Sequence, residues 1–148
     1  MARPLVIGVG NPDAGDDAAG RLVARLLASA PDAGFDVVEA SGEASGLISL
    51  FEGRDHVVLI DASRSGSPPG ALHRFAAHEK ALPASLAAVS SHGFGAAAAI
   101  ELARVLGLLP GTVIVHAIEG ACFNPGSPPS DAVRTAAETL AETLLAGL

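Results

Sequence analysis

The stretch from Leu5 to Gly20, LVIGVGNPDAGDDAAG, constrains this chain more than any other. An apolar run of strand length stops at the turn Gly8-Val9-Gly10-Asn11, and paired carboxylates, Asp16 and Asp17, follow. Leu22, Val23, Leu26 and Leu27 then recur at helical spacing. The segment therefore reads as strand, tight loop and helix.

Glycines between a strand and a helix suggest a phosphate-binding loop, in which backbone N–H groups and the helix dipole receive a pyrophosphate. The fingerprint fails here, because the third glycine of G-x-G-x-x-G would fall on Asp13, and Asp13, Asp16 and Asp17 would crowd the anion. Carboxylates at that place suit a cation, or cap the helix. One cap needs one Asp, which leaves the second of the pair to be explained.

Further along, the pattern alternates strand and helix. Phe35 to Ala40 reads as a second strand, followed by a polar loop, Ser41 to Gly46, and a short helix carrying Leu47, Ile48, Leu50 and Phe51. His56 to Ile60 is β-branched and continuously apolar, as a strand covered on both faces should be, and it ends in Asp61. After the turn-rich Ser63 to Gly70, the alternation Ala71 to Phe75 predicts an antiparallel edge strand. Residues 76 to 89 give no clear pattern. A helix from Ala96 to Gly107 is expected, with Ser90 or Ser91 as its cap and His92 at its positive end. Thr112 to Ile118 is the last strand, and Ser130 to Leu145 the closing helix. The expected fold class is α/β: a three-layer αβα sandwich with a mostly parallel twisted sheet of about five strands and one antiparallel edge strand, in a single domain spanning residues 1–148.

Composition agrees with this plan. Hydrophobic residues make up 49% of the 148 and aromatics 3%, so the core must be built from Ala, Val, Leu and Ile. A net charge of −7 argues against a nucleic-acid surface. No apolar run approaches the ~18 residues of a membrane span, and Met-Ala-Arg-Pro leads straight into a strand, so a cytoplasmic protein without membrane association is expected. The sequence leaves the oligomeric state open, with a monomer favoured. The single cysteine, Cys122, excludes a disulfide framework and reads as a structural thiol.

In an open parallel sheet the loops after all the strands lie along one edge. That geometry sends Asp17, Asp61 and His92 to one crevice. Two carboxylates and an imidazole are ligands for a divalent transition metal, and their side-chain ends should then lie roughly 3–6 Å apart. Singly, each also has a structural reading as a cap or a hydrogen-bonded histidine. Glu43 and Glu119 follow other strands and can join the site or be solvated loop acids. His56 lies at the wrong edge, while His73, His78 and His116 read as surface or core residues.

These residues resemble a known family, the hydrogenase maturation proteases. The resemblance rests on Gly8-Val9-Gly10-Asn11 with Asp16-Asp17 and Gly20, on Val58-Leu59-Ile60-Asp61-Ala62, on Pro69-Gly70, and on Ser91-His92 before a helix, in the family's order over nearly the whole chain. It implies an endopeptidase of aspartic type that removes the carboxyl-terminal extension of a nickel–iron hydrogenase large-subunit precursor, the partner, after nickel insertion. The implied nickel ligands are Asp17, Asp61 and His92, which also serve as the catalytic group, with the nickel supplied largely by the precursor and other divalent metals able to stand in for it. The metal would anchor the scissile region, polarise its carbonyl or acidify a water. One departure stands out: many members have Asp-Gly after the second strand, where this chain has Ser41-Gly42. Two other classes stay open, a non-catalytic metal-sensing chaperone of the same precursor and a small-molecule or nucleotide-binding domain.

Overall fold

The computed structural model describes residues 2–83 and 95–148. Five strands, Leu5–Val9 (β1), Asp36–Ala40 (β2), His56–Ser63 (β3), Leu72–Ala76 (β4) and Thr112–Glu119 (β5), form one sheet in the order β2-β1-β3-β5-β4. β1 runs parallel to β2 and β3, β3 runs parallel to β5, and β4 alone is antiparallel, paired to β5. The helices described are Ala19–Ala28 (α1), Ala44–Phe51 (α2), Ala96–Leu106 (α3) and Asp131–Ala146 (α4).

The strand alternation sorts the core into two layers. Val6, Val58, Ile60, Ile114 and Ile118 pack with Val23 and Leu27 of α1 and with Val133, Leu140 and Leu144 of α4. On the other face Leu5, Ile7, Leu59, Val113 and Val115 meet Leu47 and Phe51 of α2 and Ile100 and Ala103 of α3. The result is the expected αβα sandwich.

Close backbone contact fixes where α1 crosses the sheet. A Cβ on Gly8 would collide with the Gly20 carbonyl and the Ala24 side chain, and one on Gly20 with the carbonyls of Ile60 and Val9. The two glycines therefore let the start of α1 lie directly on β1 and β3. Three boundaries differ from the pattern reading. A 3-10 turn, Gly15–Ala18, precedes α1, so the helix begins at Ala19, later than a cap on Asp16 or Asp17 would place it and before the first apolar residue of the pattern, Leu22. Pairing with β5 through Ser63 carries β3 beyond Asp61. Because Glu43 caps it, α2 starts at Ala44, before its apolar residues. Among the described residues no helix is long and apolar enough to cross a membrane.

Candidate active site

The chain steps from β1 to β2 on one side and returns past β1 to β3 on the other, so the crevice between the carboxyl ends of β1 and β3 is the topological switch point of the sheet. Asp17 enters it from the turn after β1 and Asp61 from β3, both half-buried. The Asn11 N–H donates to Asp17 Oδ2 at 2.9 Å, which folds the loop back on itself. Arg21 supports the same loop from α1, its Nε donating to the Gly10 carbonyl at 2.8 Å.

Asp61 accepts the N–H of Ala62 at 2.8 Å and that of Ala96 at 2.9 Å. The second bond caps α3. Gly95 precedes that helix and offers no side chain, so this N–H is capped from the sheet. Burial pushes the Asp61 carboxyl up to about 7; the two amides work against the shift, and the charge of Asp17 adds to it. Asp17 and Asp61 thus border the same crevice, near enough for the charge of one to act on the other. His92, Ser90 and Ser91 lie outside the described residues. The chain re-enters at Gly95, three residues after His92 in sequence, with the Gly95 N–H donating to the Gly42 carbonyl at 2.8 Å. Among the described residues no group of three His, Cys, Asp or Glu side chains gathers as an ion site.

Asp16, the neighbour of Asp17, has a different task. It is 1% exposed and accepts the N–H groups of Ala121 at 2.7 Å, Cys122 at 3.2 Å and Ser130 at 2.6 Å, together with the Ser130 hydroxyl at 3.1 Å. Burial alone would raise its carboxyl, but these donors outweigh it and hold it below the usual carboxylate range. Neither Asp caps α1, contrary to the capping expectation: Asp16 staples the β5–α4 loop to the turn that carries Asp17. Gly126 N–H to Asp13 O and Gly15 N–H to Ser127 O, at 2.6 and 2.9 Å, reinforce the staple.

Glu43 is an exposed acid that also caps a helix, whereas Glu119 is buried. Glu43 accepts the N–H groups of Ser45 and Gly46 at 2.9 and 2.8 Å and caps α2. Glu119, 2% exposed, accepts the hydroxyls of Ser63 and Ser65 at 3.0 and 2.7 Å and the N–H groups of Ser65 and Gly66 at 2.8 and 3.2 Å. It ties down the turn that follows Asp61. His73 Nε2, 3.9 Å from Glu119, is buried with no hydrogen-bond partner among the described residues. The ring of His78 bonds the backbone of Val113, and His56 opens β3 at the opposite edge. At that opposite edge a cleft of about 570 Å³ lies between the end of α2 and the α3–β5 turn, away from the acids.

The turn after β1 is unsuited to phosphate. The Gly10 N–H donates to the Ala40 carbonyl at 3.0 Å and the Asn11 N–H to Asp17, so these amides are committed within the chain. The fold and crevice instead define an α/β protein with a carboxylate-bearing switch point. A sequence model of the hydrogenase maturation protease family, HycI, matches residues 21–147, and the chain belongs to that family. The matched span starts just beyond the loop that carries Asp17. Three solved structures are similar in fold. An endopeptidase from Escherichia coli is 25% identical, with 97% of this chain and 90% of that one covered at a TM-score of 0.81. The [NiFe] hydrogenase maturation protease HycI from Thermococcus kodakarensis KOD1 is 24% identical, covering 98% and 91%, at 0.75. The hydrogenase maturating endopeptidase HybD from E. coli is 21% identical, covering 97% and 90%, at 0.74. No curated protein sequence matches the chain.

Proposed function

We propose that this chain is the endopeptidase that removes the carboxyl-terminal extension of a nickel–iron hydrogenase large-subunit precursor once nickel has been inserted. The observation that carries this reading is that Asp17 and Asp61 both border the crevice at the switch point, on a chain of the maturation protease family. In this reading Asp17, Asp61 and His92 grip the nickel as part of the substrate, and so hold the scissile segment against the crevice at high effective concentration. The donor set fits: two carboxylates and an imidazole suit a divalent transition ion, and three side chains leave room for ligands from the precursor. Each Asp61 oxygen accepts one amide, which fixes the carboxylate plane and leaves further lone pairs for an ion. Because burial and Asp17 favour the protonated form, binding a cation here releases a proton from Asp61.

The test is to incubate the protein with nickel-loaded precursor and look for a defined shortening. His92→Ala and Asp61→Asn should abolish it while the variants still melt cooperatively. Wild-type shortening by either variant excludes that residue as a ligand.

Ser41 favours a second reading. It is exposed in the place where many family members have Asp, and among the described residues its hydroxyl receives only the Glu43 N–H, at 3.4 Å. A chaperone that senses the metal without hydrolysis would keep the ligands and bind nickel-loaded precursor without shortening it.

A further inference from the structure

Among the described residues β4 is an open edge of the sheet. Its ladder to β5 runs through the odd-numbered residues, from the Glu119 N–H donating to the Ala71 carbonyl at 2.9 Å to the Ala77 N–H donating to the Val113 carbonyl at 2.8 Å. Antiparallel alternation then turns the backbone N–H and C=O groups of Leu72, Arg74 and Ala76 outward. Of these, the Ala76 carbonyl receives the Glu79 N–H at 3.1 Å, and the others have no partner among the described residues. Such a row is a template for another extended chain.

Two side-chain features mark what that chain is. Leu72 is 42% exposed and borders a groove of about 450 Å³ between Pro69-Gly70 and α4, where Thr135 and Thr139 form the wall. Arg74 is exposed and has no carboxylate, carbonyl or ring partner among the described residues, whereas Arg3, Arg21, Arg25, Arg54 and Arg104 each pair with a carboxylate, Arg64 lies over the Phe123 ring and Arg134 bonds the Pro129 carbonyl. The other edge, β2, lacks this character, because Glu39 and Asp36 are already paired with arginines. β4 also begins at the same sheet edge as the acids, since Ala71 lies opposite Glu119, which holds the turn after Asp61.

We infer that β4 receives an extended, carboxylate-bearing segment of the precursor, which joins the sheet as a sixth strand with Arg74 facing its acid and Leu72 with the groove taking an apolar side chain. This rests on the reading of the chain as a precursor-processing protein. Three strand spacings, about 14 Å, separate the added strand from β3, a span that about four extended residues cover. The docked segment therefore lies several residues from the bond that is cut.

The test is hydrogen exchange read at single residues of the full-length protein, with and without saturating nickel-loaded precursor. The Leu72, Arg74 and Ala76 amides should slow by about tenfold or more on addition. In processing assays Arg74→Pro, which removes an outward N–H without breaking the ladder, and Arg74→Glu, which keeps the N–H but reverses the charge, should each raise KM about tenfold, with Arg74→Lys close to wild type. Unchanged exchange at the three amides, or a wild-type KM in both Arg74→Pro and Arg74→Glu, overturns the inference, as does a precursor that does not bind. Protection without shortening keeps the docking strand and removes the protease reading, whereas shortening without protection does the reverse.

Discussion

Two adjacent carboxylates have different surroundings here and, in the proposed function, different duties, and substitution should separate them. Asp16 satisfies four donors from a loop more than a hundred residues away, so Asp16→Ala strands buried amides and should cost about 3 kcal/mol. Among the described residues Asp17 accepts one N–H, which an Asn oxygen can also take, so Asp17→Asn should melt near the wild type yet fail to shorten the precursor. Melting curves and processing assays on the same two samples check both expectations, and matching phenotypes would remove the division of labour. The sequence made Asp17 and Asp61 legible because parallel topology alone sends both to one edge. The roles of Asp16 and Glu119 were not legible, because their partners, Ser130 for one and Ser65 for the other, are set by how distant loops meet. The only local hint was numerical: two Asp stood where one cap sufficed.

At the scale of elements, one carboxylate joins β3 to α3. The Asp61 carboxyl, raised from 3.8 to about 7, keeps its proton in the folded protein over a range where the unfolded chain has lost it. Its contribution to stability is complete below about pH 4 and is lost as pH rises through about 7. His116, lowered from 6.5 to about 4 by burial and by the neighbouring Arg74, acts in the opposite sense. Its contribution is complete above about 6.5 and is lost as pH falls toward 4. The two oppose each other in one window, so the difference between proteins is the informative quantity: Asp61→Asn should gain in melting temperature relative to wild type as pH goes from about 5 to 8. A difference independent of pH would mean that Asp61 ionises normally. The contact of α1 with the sheet is tested by Gly20→Ala, whose added methyl meets the Ile60 and Val9 carbonyls; it should cost about 3 kcal/mol, read by denaturant titration. The strands were legible from their apolar runs. Helix starts were less so, because α3 takes its cap from another element and α1 is preceded by a 3-10 turn, neither of which leaves a local signature.

For the molecule as a whole, the decisive property is where the metal comes from. Among the described residues two half-buried carboxylates stand at the switch point, without cysteine, and each is already engaged with backbone amides. In the proposed function such a site, completed by His92, would be a modest set of ligands, and tight binding would need further donors from a nickel-carrying precursor. Cleavage should therefore follow the nickel content of the precursor rather than any metal retained by this chain. Protein treated with chelator and then freed of it should shorten nickel-loaded precursor at the untreated rate and leave nickel-free precursor intact, with binding to the nickel-free form at least about tenfold weaker. Equal processing of both forms would refute a shared metal. Loss of activity after chelation, restored by zinc alone, would make the chain an ordinary metalloprotease that carries its own ion.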